Sequence, residues 1–290
     1  MVNTNAFSSF ANDKHIYIIA EIGINHNGSL DLAYKLIDIA KNSGCDAVKF
    51  QKRTINIVYS EEILNQKRES PWGSTQREQK EGLEFSLEDY EKIDDYCKKL
   101  QIDWFASSWD RESQISMRRF NFKFNKIASA MATNFDFVEL VASEQIPTFA
   151  STGMTNDDEI DKLVDIFKRN ECELMLMHTV STYPSLEEDL NLKMINTLKN
   201  KYDLPIGYSG HEVSLSPSVI AASLGACAIE RHITLDRAMY GSDQSASLQP
   251  DGFKQMCEIL RKIPLTLGDG KKRILEKEYT IAKKLRYWKN

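Results

Sequence analysis

Short apolar runs alternate with amphipathic segments along almost the whole chain. Ile16–Gly23 (IYIIAEIG) is apolar at nearly every position, the pattern of a strand buried on both faces. Leu30–Gly44 follows with apolar residues at helical spacing and a closing glycine. Ala47–Gln51 reads as the next strand. A long polar connection then runs from Arg53 to Phe85, and Ser86–Leu100 reads as a helix with Ser86 at its N-cap. Asp103–Ser108, Phe124–Ser129, Pro147–Thr152, Glu173–Thr179, Pro205–Gly210 and Cys227–Thr234 supply six further strands, with helical stretches between them. Alternation of this kind implies a parallel sheet with right-handed crossovers. Eight units over 290 residues favour a closed (β/α)8 TIM barrel over an open sheet. The expected organisation is one barrel over residues 1–265 and a helical tail over 266–290.

A barrel of this kind works at the C-terminal ends of its strands. Those ends carry Glu21, Lys49, Gln51, Ser107, Ser108, Lys126, Ser129, Ser151, Thr152, His178, Ser209, His211, Glu230 and His232. A serine at a strand end usually caps the next helix. The concentration of polar groups on one rim is harder to dismiss, because buried polar groups without partners lose their water at a cost.

Composition narrows the partners. Hydrophobic residues make up 42% and charged residues 27%, with a net charge of −5, so no nucleic-acid footprint is present. No apolar run approaches the roughly 20 residues of a membrane helix. The first fifteen residues lack a basic start and an apolar stretch, so no secretory signal is expected. Five cysteines without CxxC spacing read as reduced thiols of a cytoplasmic protein.

His211 and His232 stand at the ends of the last two strands. Two imidazoles among oxygen donors suit Mn²⁺, Fe²⁺, Co²⁺ or Zn²⁺; the alternative is a pair of rim histidines bonded to backbone. Lys49 and Lys126, with Ser129, Ser151 and Ser209 close by, read as an anion site for phosphate plus carboxylate. Either lysine could instead snorkel past the rim to solvent, or serve as a Schiff-base amine. Glu21 is a carboxylate in an otherwise apolar strand. Asp243 is a candidate for gripping substrate hydroxyls or for opening a helix, and His178 and Tyr183 are candidates for substrate contact. His15, ahead of the first strand, reads as surface.

AEIGINHNG, DAVKFQ, KIAS, STGM, VSTYP, GYSGHE and ERHITLDRAMYGSDQSASLQP together resemble the sialic acid synthase (N-acetylneuraminate synthase) family, in the family's order, from about Ile16 to about Gly270. The resemblance implies a (β/α)8 barrel that condenses phosphoenolpyruvate with the open-chain aldehyde of an aldose such as N-acetylmannosamine. The products would be a 3-deoxy-2-keto nonulosonic acid and phosphate. Carried over by motif, Lys49, Lys126, Ser129, Ser151 and Ser209 would hold phosphoenolpyruvate, with Ser108 and Gln51 as further candidates. His211 and His232 would bind the divalent metal, usually Mn²⁺. Glu21, Tyr183 and Asp243 would hold the acceptor, Glu21 acting as proton-transfer partner or as hydroxyl ligand. A homo-oligomer and a role in surface-glycan assembly are expected by resemblance alone.

Three departures from the family pattern stand out. Met131 occupies a position two after the KIAS serine where many members carry an acid. Gln244 stands where some carry histidine. The chain also ends at Asn290, where many members continue into a small antifreeze-like domain that contacts the acyl-amino group of the sugar. Two further readings follow: the same reaction on a different, non-acylated aldose, or a barrel that binds sugar or phosphate without turnover. The Arg53–Phe85 connection is long for a barrel loop and reads as a lid in which Trp72 covers the sugar, or as a surface insertion.

Overall fold

The structure, a computed structural model, describes residues 6, 7, 10 and 15–289. Eight parallel strands close into a barrel: β1 (Tyr17–Gly23), β2 (Ala47–Lys52), β5 (Asp103–Ser108), β6 (Asn125–Ile127), β7 (Thr148–Ser151), β8 (Leu174–Thr179), β9 (Ile206–Gly210) and β10 (Ala228–His232). Each pairs with its sequence neighbour in the barrel, and β1 pairs with β10 to close the ring. The expected (β/α)8 TIM barrel is the fold. A two-stranded antiparallel hairpin, β3 (Lys67–Ser70) and β4 (Gly73–Thr75), stands outside it.

Several helices begin where a side chain satisfies one of their first amide groups. Ser29 caps Leu30–Asn42, and Ser86 and Asp89 form a capping box on Leu87–Leu100. Asn156 with Glu159 does the same for Asp157–Arg169. β6 is shorter than the six residues expected, because the chain turns at Ser129 into a short 3₁₀ turn, Ser129–Met131.

Strand residues alternate between two apolar layers, which the uniform hydrophobicity of the strands conceals. Ile18, Ala20 and Ile22 of β1 face outward, under the helices, with Val48 and Phe50 of β2. Tyr17, Ile19, Phe105, Phe124, Phe149, Met175 and Met177 fill the barrel interior. Phe7 seals its lower end, its ring 4.9 Å from Phe149 and 5.6 Å from Phe124. Above this plug the inward positions turn polar, and the site begins there.

The Arg53–Phe85 connection is an ordered insertion. It contains helices Ile55–Val58 and Glu61–Leu64, the hairpin, and helix Gln76–Leu83 capped by Thr75 and Glu78. At the C-terminal end, the helix Pro250–Leu267 runs across the boundary expected at residue 265, and the tail forms a separate helix, Glu276–Leu285. Apart from residues 6, 7, 10 and 15, the stretch read as lacking a secretory signal lies outside the described residues, as does Asn290. No helix among the described residues is long and apolar enough to cross a membrane. His15 is exposed as expected, with Nε2 2.8 Å from Asp46 Oδ1. The five cysteines are free.

Candidate active site

Period-two alternation places one polar residue after another on the inner wall at the C-terminal rim. Glu21, Lys49, Gln51, Lys126, Ser151, Ser209, His211 and His232 line a cavity of about 140 Å³, together with Ser129 and Tyr183 from the following loops. Ten of the twelve residues expected in the site therefore meet in one place. A larger cavity of about 540 Å³ lies at the opposite end of the barrel, among Ile16, Pro205, Cys227 and Pro264. It lies away from the strand C-termini, so its size does not make it the site.

Two expected residues are placed elsewhere. Ser108 follows the inward Ser107 on β5, so its hydroxyl points away; it is fully buried without a hydrogen-bond partner, and Ser107 lines the cavity instead. Asp243 lines a second cavity of about 210 Å³ further out, which shares Gln51, Trp109 and Tyr183 with the first. Its Oδ2 lies 3.7 Å from His232 Nδ1. His178 is a structural histidine rather than a substrate contact: it is buried, with Nε2 2.7 Å from the Leu190 carbonyl, and burial depresses its pKa. Trp72 lines neither cavity; it packs edge-on to Tyr240 with ring centroids 5.7 Å apart, while Tyr59, Lys80 and Leu83 of the insertion reach the outer cavity. Met131 packs into the apolar core and does not line the cavity. Gln244 is buried, bonded to Thr234 and donating to the Asn25 carbonyl at 3.3 Å, and so ties the last loop to the first.

The centre of the site is a residue the motif reading left unassigned. Glu230 takes Lys126 Nζ at 3.2 Å and Lys49 Nζ at 3.6 Å, and accepts from Ser209 Oγ at 3.1 Å. Its position two before His232 on the same strand is the signal that could have found it. Lys49 also reaches Glu21 at 2.8 Å, and Lys126 donates to Ser151 Oγ at 2.7 Å. Gln51 Nε2 donates to Glu21 Oε1 at 2.7 Å. Ser129 Oγ accepts from the Gly153 N–H at 3.1 Å.

Burial pulls these groups in different directions. Burial opposes the Glu230 charge, but Lys126 and Lys49 outweigh it and hold its pKa down at about 2. At Glu21 burial wins over Lys49 and His232, so its pKa is raised. Burial works against the Lys49 charge too, yet Glu21 and Glu230 overcome it and raise its pKa. At Lys126 burial prevails over Glu230, with Lys49 adding to it, and the pKa falls. Two carboxylates with pKa values pushed apart in one cavity can divide the roles of proton carrier and fixed charge.

The histidines fit a metal. His211 Nδ1 lies 2.8 Å from the Val180 carbonyl, which can only accept, so the proton sits on Nδ1 and the Nε2 lone pair faces the cavity. The Tyr183 hydroxyl, 2.9 Å away, takes up that lone pair. Burial, with His232 adding to it, drops the His211 pKa to about 3 and keeps the ring neutral, as a ligand must be. His232 Nδ1 is buried with no hydrogen-bond partner, and the two rings stand 5.4 Å apart. Among the described residues no group of three or more His, Cys, Asp or Glu is placed to hold a metal, so His211 and His232 would be the protein's share of any metal shell here. Behind them, Arg231 points to the other face of β10 and pairs with Glu212 at 2.8 Å, while the Tyr208 hydroxyl donates to the same carboxylate at 2.8 Å.

A closed (β/α)8 barrel whose strand C-termini converge in a cavity of charged and imidazole groups has the build of a barrel enzyme. The NeuB family matches residues 36–272, and the chain belongs to it. It is 36% identical to the human N-acetylneuraminate-9-phosphate synthase over 93% of this chain and 76% of that one. It is 35% identical to the N,N'-diacetyllegionaminic acid synthase of Legionella pneumophila over 91% of this chain and 77% of that one. Among solved structures, the N-acetylneuraminic acid (sialic acid) synthetase of Leptospira borgpetersenii, in complex with citrate, superposes with a TM-score of 0.82 at 30% identity, covering 94% of this chain and 93% of that one. The chain thus stands among the sialic acid synthases, transferases of carbohydrate biosynthesis.

Proposed function

We propose that the protein condenses phosphoenolpyruvate with the open-chain aldehyde of an aldose, N-acetylmannosamine or a relative, in a metal-dependent reaction that yields a 3-deoxy-2-keto nonulosonic acid and phosphate. The observation that carries this reading is the convergence of two buried ammonium groups and two imidazoles in one small cavity. Lys49 and Lys126, with Ser129, Ser151 and Ser209, hold the phosphate and carboxylate of phosphoenolpyruvate. His211 and His232 hold a divalent metal, Mn²⁺ in the family pattern, which when bound supplies Lewis-acid polarisation of the aldehyde oxygen.

The enol carbon then bonds to the aldehyde carbon, and the aldehyde oxygen takes a proton. Water adds at C2 of the former phosphoenolpyruvate, where positive charge develops, and loses a proton. The C2–O bond to phosphate breaks, phosphate leaves with the electron pair, and the C2 hydroxyl gives up its proton to the departing phosphate to become the ketone. Glu21, with its raised pKa, is the carboxyl suited to carry a proton at this carbon–oxygen centre. Glu230 stays ionised and fixes both ammonium groups against the anions they bind. The wall brings both reactants together, which turns a bimolecular encounter into a positioned one. The outer cavity, with Tyr183 and Asp243, receives the remainder of the sugar.

The test is phosphate release from phosphoenolpyruvate with Mn²⁺ and a panel of aldoses, with and without chelator. Chelator-sensitive release with one sugar, giving a 3-deoxy-2-keto acid, supports the reading. Absence of release with every sugar, despite measurable phosphoenolpyruvate binding, would favour a barrel that binds without turnover.

A further inference from the structure

The C-terminal segment concentrates two features that the barrel spreads thinly. More than half of the large apolar side chains exposed among the described residues fall between Leu265 and Trp288. Residues 268–290 also hold eight lysines and arginines against three acids, a net of +5. The whole chain carries −5, so the remainder carries −10. The helix Glu276–Leu285 sorts these features onto two faces. Leu275, Tyr279, Ala282 and Leu285 recur at helical spacing along one side, with Ile281 beside them. Lys277, Lys283 and Lys284 lie on the other side. Glu278, on the apolar flank, accepts the Leu275 N–H at 2.7 Å. No residue of this helix is buried, and Tyr287 and Trp288 just beyond it are 80% and 65% exposed. A ten-residue helix without tertiary packing is marginal in water, so it calls for a surface to lie on. Gly268 and Gly270, both at positive φ, end the helix Pro250–Leu267 and start the tail in a new direction.

We infer that this tail lies on an anionic phospholipid bilayer, with its apolar face in the headgroup boundary and its cations toward the lipid phosphates. Tyr287 and Trp288 suit that boundary, because each joins an apolar ring to a polar tip. The lysine stems can lie along the apolar surface while their ammonium groups reach the phosphates. A helix in the plane of the bilayer needs no span, so ten residues suffice where a crossing helix takes about twenty. The charge of −10 on the remainder opposes such a surface, which confines the attachment to the tail. A second copy fits the tail less well. The apolar cavity at the lower end of the barrel sets Lys199 and His15 beside Asp203, with no excess of negative charge to meet it. The inference does not depend on the condensation proposed above.

Pelleting of the full chain with vesicles tests this. One set is phosphatidylcholine alone; the other is equal parts phosphatidylcholine and phosphatidylglycerol. Binding should be roughly ten-fold or more tighter to the mixed vesicles and should weaken as salt rises. Lys283→Gln with Lys284→Gln removes two cations and should weaken that binding about thirty-fold, whereas Lys283→Arg with Lys284→Arg should keep it. Leu285→Ser should weaken it as well, through the apolar face. All three side chains are exposed, so every variant should keep the parent's unfolding midpoint. Equal pelleting with both kinds of vesicle overturns the inference, as does undiminished binding in the double glutamine variant. A lower molar mass of Leu285→Ser in solution, without vesicles, also overturns it and gives the apolar face to a second copy.

Discussion

At the scale of single residues, the site is a set of buried charges that hold one another in place. Glu230 is the keystone, since Lys49 and Lys126 both lean on it. Glu230→Gln leaves two ammonium groups undercompensated, and the expected loss is about 3–5 kcal/mol, read as a lower urea midpoint. Its folded pKa is depressed, so the stability it contributes is complete above the ordinary glutamate value of about 4.3. That stability drains away as the pH falls through about 2. His26 acts in the same direction at higher pH. It is buried against Phe85 at 4.0 Å, and burial lowers its pKa to about 3. The unfolded chain binds a proton here below about 6.5, and the folded chain does not until about 3, so stability should fall with pH across that window. Urea midpoints between pH 7 and 4 check this; a midpoint that rises on acidification would contradict it. For the reaction, His211→Ala should abolish synthesis and leave phosphoenolpyruvate binding largely intact, and full activity in that variant would refute the metal assignment.

At the scale of elements, the end of β9 and the strand β10 are joined behind the site by a buried pair. Arg231, fully buried, binds Glu212 at 2.8 Å, the Ser214 carbonyl at 2.9 Å and Ser218 Oγ at 2.9 Å. This clamp sets the spacing of His211 and His232, each one residue away from a partner. Glu212→Gln alone should cost about 3–5 kcal/mol, because it strands a buried guanidinium. Replacing both partners, as in Glu212→Leu with Arg231→Met, should recover most of the stability but little of the activity. Recovery of both would mean the clamp does not position the histidines. The insertion has its own critical contact, where Gly82 abuts the Trp72 ring and a Cβ would overlap it. Gly82→Ala should therefore destabilise the insertion by about 1–3 kcal/mol and raise the KM for the acceptor sugar more than for phosphoenolpyruvate.

At the scale of the whole molecule, the barrel separates stability from chemistry. Its lower interior is a plug of Phe105, Phe124 and Phe149 sealed by Phe7, and its upper rim is polar. Chelation should accordingly stop turnover without unfolding the protein, with loss of phosphate release but an unchanged thermal unfolding midpoint as the joint outcome. The insertion packs over the outer cavity through Tyr59 and Lys80, so limited proteolysis between residues 53 and 85 should slow when both substrates are present. Equal cleavage in both states would sink a lid.

The sequence by itself determined the barrel, because eight apolar runs alternating with amphipathic helices leave few other ways to bury both faces of each strand. It also marked most of the cavity wall, since strand ends with a polar residue at every second position are visible in one dimension. Tertiary structure decided which member of each adjacent pair faces inward. Ser107 faces the cavity and Ser108 does not, because the inward register of β5 is set by its pairing with β2, in which Gln51 lies opposite Ser107. It decided that Met131 falls into the core and that His178 serves a backbone carbonyl. It also brought Glu230 between two lysines that stand 77 residues apart in the chain at positions 49 and 126. Those outcomes depend on distances between segments remote in sequence, which only ring closure of the sheet brings together.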